Sequence, residues 1–478
     1  MLNMGWIIEK IKRDGGSIMS EVFNDLIDYH KPIADHMISN YKRYMASIAP
    51  DGVPVFSRKF ADDSKVNRKV NNTFDSDVVD GKMGYMFGTP IIYDLDKEKY
   101  TSGDNFNDAA YRLDYKAIES FNRINMMPDL DAETGKMAAI CGYASRLLYI
   151  DKDGMERVKD IDPWECIFVN DGSLNESQYA MRYYPIEVNG KLHTFVEWYD
   201  GKNISFYMSA DGTETNQRLL FQLYDGGVDG GSVIPHMFDG IPLIQFINNR
   251  EHQGDCDKSW ALIDDYDSTF SDVASEIEQF RLAYMAVYGM VPDKDEMAQA
   301  KKTGTFGMPD AECRIEFITK ALNDAVVEHH LDRAEENIYR FCKAVNFNDV
   351  ALGGNVSGIA MKYKMIGLEG KCIIAERKFD AALRAQYKLL TSVWSLKGTN
   401  IDYLMMDFIW TRNFPLNLLD EAQTAQTMMG LFPDELIYSL MSFVDNPKKI
   451  VALMATQNEG MVDLDGKIEE KKEGGVEE

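Results

Sequence analysis

The pattern of apolar and polar positions divides the chain into three textures. Up to about residue 135, helical segments surround one extended stretch, residues 85–93. Its aromatic and β-branched residues, with Gly88 and Pro90, predict an edge strand or bulge. From about residue 146 to 249, short strand-like runs at 165–169, 179–184 and 193–199 alternate with turn signals. Asn189-Gly190, Asp200-Gly201 and Asp211-Gly212 recur every eleven residues, and such pairs accept the positive φ of two-residue hairpins. The pattern predicts an antiparallel meander, with a Gly-rich hairpin loop at 226–231 and a closing run at 241–247.

Beyond residue 258 the period becomes helical. Leu262, Tyr266, Phe270, Val273, Ile277, Phe280, Tyr284 and Val287 are spaced 4, 4, 3, 4, 3, 4, 3, which predicts one helix with a sustained apolar seam. At about 1.5 Å per residue it is a rod of about 39 Å. Its other face carries Asp255, Asp257, Asp264, Asp265, Asp267, Asp272, Glu276 and Glu278 against only Lys258 and Arg281, and reads as a solvated polar face. Gly289 and Pro292 stop the rod. A polar segment with one short strand at 314–318 follows. A second helix then opens after Asn323, a candidate N-cap, with its own seam of Val327, Leu331, Ala334, Ile338, Phe341 and Val345. Two rods flanking a small insertion predict a helical hairpin with a compact module at its tip. A Gly/Asn loop at 346–358 leads into a long basic helix from about 359 to 394, then a strand near 401–411. Three shorter helices follow, one opening at Pro433 and one at Asn446-Pro447. The fold class is α+β.

Composition adds bounds. A chain of 478 residues holds two to four structural units by the usual domain size, and its 45% hydrophobic and 27% charged residues are those of a folded protein. The net charge of −26 excludes a basic nucleic-acid clamp, which rests on excess Lys and Arg. No signal peptide or membrane span is expected. The most apolar stretch, 137–150, is broken by Arg146 and too short. Six scattered cysteines without a C-x-x-C pair read as reduced, mostly buried thiols.

Catalytic patterns are missing where they would be needed. Gly81-Lys82 and Gly370-Lys371 lack the rest of a phosphate-binding loop, and the Gly-rich loop at 226–231 precedes no helix. The adjacent His329-His330 diverge on a helix, and no His/Cys set has zinc spacing. Asp264, Asp265 and Asp267 are the one set that a soluble metal-dependent nuclease or hydrolase would use, although 265 lies off the face shared by the other two. The expectation is a non-enzyme with no cofactor and no bound metal.

The order of parts carries more than any single site. The stretch Val78-Val-Asp-Gly-Lys-Met-Gly-Tyr-Met-Phe-Gly-Thr-Pro-Ile-Ile-Tyr93 comes first, then Gly240-Ile-Pro-Leu-Ile-Gln-Phe-Ile-Asn-Asn249. Leu262-Ile-Asp-Asp-Tyr-Asp267 leads on to Ser271-Asp272 and Ser275-Glu276, before Gly354-Asn-Val-Ser-Gly-Ile-Ala-Met-Lys362 and Asn413-Phe-Pro-Leu-Asn417. In this order, over about residues 70–450, the series resembles the portal proteins (head-to-tail connectors) of tailed bacteriophages, of the kind found in long-tailed phages of Gram-positive hosts.

That resemblance implies a ring, usually of twelve subunits, at one capsid vertex of the virion, from a protein made in the host cytoplasm. Double-stranded DNA enters and leaves through it. The large terminase subunit, head-completion (adaptor), major capsid and scaffolding proteins are its partners, with no membrane. It implies a wing at 1–254, stem helix at 255–289, clip at 290–319, second stem helix at 320–345 and tunnel loop at 346–358. The long helix and returning strand of the wing follow at 359–415, and the crown and acidic tail at 416–478. The stem residues Leu262, Tyr266, Phe270, Val273, Ile277, Phe280, Leu331, Ile338 and Phe341 would pack within and between subunits. Glu296, Lys301, Lys302 and Arg314 would sit on the docking face of the clip. Asn346, Asn348, Asn355, Val356 and Ser357 would face DNA. Lys362 and Lys364 would either add a basic ring near the lumen or cover the start of a solvated helix. Short uncharged groups suit a channel, because each firm phosphate contact resists sliding. Another phage connector ring is the remaining structural alternative.

Overall fold

The computed structural model describes the chain except residues 1–3, 15–18, 61–65, 103–104, 171–176, 211–217, 228–229, 281–283, 290–292, 304–312, 319–323, 347–357, 400, 414–417, 440, 442–443, 445–449, 452–453 and 455–478. Two compact units result: one comprises Met1–Asn346 with Met365–Arg412, the other Phe347–Lys364 with Asn413–Glu478.

The strand-rich region of the first unit is two sheets, not one meander. Tyr143–Ile150 is the centre of a three-stranded antiparallel sheet, with Glu156–Ile161 on one side and the closing run Leu243–Ile247 on the other. The remaining strands form a six-stranded sheet in which Tyr179–Val188, Lys191–Tyr199 and Asn203–Ser209 are successive neighbours. Asn189 and Gly190, at φ 52° and 76°, make the expected tight turn. At Asp200 the connection is longer, and the Asp200 carboxylate accepts from the amides of Lys202 and Asn203. Asp211-Gly212 lies outside the described residues. The Gly-rich loop is no hairpin. Phe221–Leu223 and Val233–Pro235 both pair with Asn203–Ser209, so the chain leaves that edge after Leu223 and rejoins it at Val233.

Burial explains the assembly. The helices Gly5–Asp14 and Met19–Tyr44 lay Ile7, Phe23 and Leu26 on Val196, Trp198 and Phe221 of the large sheet. The helix Met127–Cys141 ends at Gly142, whose φ is 90° and whose missing side chain admits the carbonyl of His252; a Cβ there would sit 2.1 Å from that oxygen. The apolar stretch 137–150 is therefore a helix turning into a strand. The long helix Gly358–Leu396 contributes Phe379, Leu383, Tyr387, Leu390 and Trp394 to the main core against Phe246, Leu148 and Phe121.

Residues 85–93 also differ from expectation. Tyr85 and Met86 end the helix Phe74–Met86, and only Ile92–Leu95 is a strand; it pairs with Met406–Ile409, the strand expected near residue 401. Among the described residues, no helix is long and apolar enough to cross a membrane.

In the second unit, Leu418–Met428 and Asp434–Ser439 are helical, with Ala425, Ile437 and Tyr438 buried. The helix foreseen at Asn446-Pro447 opens on residues outside those described.

Burial also makes one histidine pH-sensitive. His30, packed between the hydroxyls of Tyr183 at 3.0 Å and Tyr143 at 3.3 Å, has its pKa pushed down to about 4 by desolvation. A base with a depressed folded-state pKa is neutral when folded and charged when unfolded between those two values. Its effect therefore appears as pH falls through 6.5 and grows until about 4. Acidifying from pH 7 to 4 is expected to cost about 3 kcal/mol through His30 alone, a slope that His30→Gln removes in urea titrations at each pH.

Candidate functional site

The paired rods form the feature most distinct from an ordinary core. Trp260–Phe280 and Asp324–Cys342 are both helical and pack along each other. The first rod is shorter than its seam predicts. Its 21 residues span about 31 Å, and Tyr284 and Val287 lie instead on a strand, Tyr284–Tyr288, antiparallel to the expected strand Arg314–Ile318. The chain between these strands also holds a helix, Lys294–Thr303, that the polar composition concealed. Asn323 lies outside the described residues.

Side-chain burial splits each rod. On the second, Leu331, Ala334, Ile338 and Cys342 are buried; Ile338 and Cys342 cluster with Ile263, Cys256, Phe74 and Val78. Leu262 and Tyr266 pack against that cluster, and Val273 is half-buried. Other apolar positions on the rods are open to solvent: Phe270 is 37% exposed, Ile277 56%, Phe341 51% and neighbouring Val326 61%. Phe280 closes the first helix.

The acidic face is only partly solvated, because several of its carboxylates receive groups from the first ninety residues, while Asp265 and Asp272 stay more than half exposed. The Arg43 guanidinium bonds Asp264 at 2.8 Å and Asp75 at 3.2 Å, and lies 5.0 Å over the Trp260 ring. Asp257 takes His36 at 3.1 Å and Asn40 at 2.9 Å. Asp272 takes Arg58 at 2.7 Å, and Glu278 pairs with Arg68. Asp265 pairs with His330 of the other rod at 2.9 Å.

The buried stripe of the first rod is Ile263, Asp267, Ser271 and Ser275, every fourth residue. An arm of the chain runs antiparallel along it. The amides of Asn72, Val70 and Arg68 donate to Asp267 Oδ1, Ser271 Oγ and Ser275 Oγ at 3.0, 3.0 and 2.9 Å. Asn71 and Asn72 side chains add bonds to Asp267 of 2.6 and 2.8 Å. Burial raises the Asp267 pKa, and these donors oppose the rise.

At the base of the hairpin, Asp255 is wholly enclosed. Lys82 reaches it at 3.1 Å, Lys371 at 3.2 Å and Asn248 Nδ2 at 2.9 Å. Burial alone would raise its pKa; the two ammonium groups and the amide overcome that and hold it below the usual carboxylate range. Lys371 also donates to the Cys342 carbonyl at 2.8 Å, so one lysine of the long helix ties the end of the second rod to the residues that lead into the first.

This geometry leaves the aspartate triad nothing in common. Asp264, Asp265 and Asp267 point to three different partners, and among the described residues no group of three His, Cys, Asp or Glu is arranged to hold a metal ion. Of the loop residues, Asn346 donates to Glu335 at 2.8 Å, whereas Asn348, Asn355, Val356 and Ser357 lie outside the described residues. Lys362 and Lys364 lie on the first turns of the long helix, Lys364 exposed. Glu296, Lys301 and Lys302 lie on the Lys294–Thr303 helix, and Arg314 is exposed at the start of its strand. The residues that sequence reasoning missed are the clamp itself: Arg43, Arg58, Asn71, Asn72, Lys82 and Lys371. The one available signal was a run of acid on the rod without local counter-ions.

The sequence profile of the family described as phage portal protein, SPP1 Gp6-like, matches residues 24–463. The chain belongs to that family. It is 24% identical to the portal protein of Clostridium phage phiCD119, over 84% of this chain and 87% of that protein. It is also 22% identical to the portal protein of Bacillus phage SPP1, over 93% and 87%. Portal family members are ring-forming structural components of the virion, not enzymes. The hosts of both relatives are Gram-positive, in keeping with the resemblance read from the sequence.

Proposed function

We propose that the chain forms the ring at a single capsid vertex through which double-stranded DNA is packaged and ejected, and on which the terminase and the head-completion proteins dock. The observation that carries this reading is the family match across residues 24–463. Exposed Phe270, Ile277, Phe341 and Val326 on the paired rods support it, since such apolar side chains suit burial against a neighbouring subunit.

In this reading residues 1–254 and 359–415 are the wing, the rods are the stem, 290–319 is the clip and 416–478 the crown. The loop at 346–358, with Asn346, Asn348, Asn355, Val356 and Ser357, faces DNA together with Lys362 and Lys364. Glu296, Lys301, Lys302 and Arg314 meet the terminase and later the adaptor. Major capsid and scaffolding proteins are further partners. Twelve subunits is the expected number. The purified chain, imaged in negative stain, is expected to show rings with a central hole. Monomers alone at micromolar concentration, across a range of salt, would refute this function.

A further inference from the structure

A cavity of about 650 Å³ opens in the first unit where the edges of two sheets come together. Cys166–Val169 is the last strand of the six-stranded sheet, and Cys166, Ile167 and Phe168 line the cavity. Leu243–Ile247 is the last strand of the three-stranded sheet and contributes Gln245. Pro32, Ile33 and Tyr143 add apolar surface, and the turn after the strand brings Arg250, Glu251 and Gln253.

The second edge carries unused hydrogen-bonding groups. The Leu148 amide donates to the Pro242 carbonyl and the Asn248 amide to the Gly142 carbonyl, both at 2.9 Å. By the alternation of an antiparallel ladder, Ile244 and Phe246 then turn their backbone groups into the sheet, and Leu243, Gln245 and Ile247 turn theirs outward. Among the described residues, the side-chain amides of Gln245 and Gln253 and the outward backbone of Gln245 have no partner. An unpaired strand edge beside an apolar wall suits an extended segment of another chain, with backbone bonds along the edge and side chains against the wall.

The same chain carries such a segment. Cys166–Val169 pairs only with Tyr179–Arg182 of one long strand, and Asn203–Ser209 covers only Phe195–Tyr199 of the next. Four residue pairs, from Pro185–Thr194 to Val188–Lys191, continue beyond both as a two-stranded ribbon about 13 Å long. Ile186 pairs across with His193 and Leu192 with Glu187, so Ile186 and Leu192 lie on opposite faces. They are 39% and 75% exposed, which leaves the ribbon with an open apolar side chain on each face.

We propose that the ribbon of one subunit enters the cavity of the next and adds to its Leu243–Ile247 edge. The contact rests on the chain forming rings. A closed ring of like subunits joins two unlike surfaces head to tail, and ribbon and cavity are two such surfaces. Their charges match as well. Glu187 is exposed with no ion pair among the described residues, and so is Arg250 at the cavity. Lys191 of the ribbon is the counterpart of Glu251.

The test uses the full chain with Leu192 replaced by p-benzoylphenylalanine, assembled and irradiated. The expected product has twice the subunit mass, with its cross-link in residues 166–170 or 243–253 of the neighbouring subunit. Rings that give no such product, or whose cross-link maps elsewhere, overturn the contact and leave the portal reading standing. Glu187→Arg and Arg250→Glu are each expected to raise the concentration needed for rings about tenfold, because like charges then meet, and the double variant to restore it. Both side chains are exposed, so circular dichroism should not change. Unaltered assembly of the single variants, or a double variant no better than either, overturns the pairing. A natural chain that forms no rings refutes the portal reading, and this contact with it.

Discussion

Arg146→Met is expected to lower the stability of the first unit by about 3–5 kcal/mol, the cost of stripping one partner from a buried charge cluster. Arg146 is fully enclosed at the centre of the three-stranded sheet. Its guanidinium bonds Asp131 at 2.8 Å, Thr134 Oγ1 at 2.7 Å and Gln386 at 3.3 Å, and lies 3.4 Å from Asp160. The ring of Phe246 lies 4.4 Å from it and that of Phe379 5.6 Å. Without the guanidinium, Asp131 retains only the Tyr93 hydroxyl at 2.5 Å, and a carboxylate whose pKa burial already raises is left uncompensated. The urea midpoint should fall with the m-value unchanged. Adding Asp131→Leu should restore part of the loss, because the second charge then goes as well. A midpoint shift worth less than about 1 kcal/mol would show that the cluster is not a stability determinant.

The second large effect concerns assembly. Replacing Ile277 and Phe341 together by aspartate is expected to leave the subunit folded and to abolish rings. Both side chains face solvent in the isolated chain, so circular dichroism and the thermal midpoint should hardly move. Each apolar side chain buried at a subunit contact contributes about 1.5–3 kcal/mol. Losing two raises the concentration needed for association by a factor of about a hundred to ten thousand. Sedimentation velocity should then find single subunits where the natural chain gives rings. Undiminished rings would place the contact elsewhere.

The sequence makes the rods legible because a seam of period near 3.5 is a local property, and Leu331, Ala334 and Ile338 are buried as that seam requires. It overextends the first rod for the same reason. Tyr284 and Val287 fall three apart, a spacing that suits a helix but does not forbid a strand, and the partner that decides, Arg314–Ile318, is thirty residues away. Pairings such as Ile92–Leu95 with Met406–Ile409 have no local signature at all. The acidic face fails in a more instructive way. Asp264, Asp267 and Asp272 look solvated because nothing near them in sequence is basic, yet Arg43, Asn72 and Arg58 reach them from some two hundred residues away. The first sixty residues, silent in sequence, thereby become part of the clamp on the rods. Much of the rod's negative charge is answered within its own chain, so less of it is left uncompensated than the count of carboxylates suggests.

The arm along the first rod also acts as a ruler. Two residues of extended chain advance about 6.6 Å, while four residues of helix advance about 6.0 Å. Three rungs, at Asn72, Val70 and Arg68, absorb the mismatch. A fourth would be displaced from its partner by nearly 2 Å, beyond the tolerance of a hydrogen bond. At that end the Arg68 side chain spans the gap to Glu278 instead of the backbone. The length of the clamp is therefore set by the incommensurate pitch of strand and helix, and lengthening the arm would add no further rung.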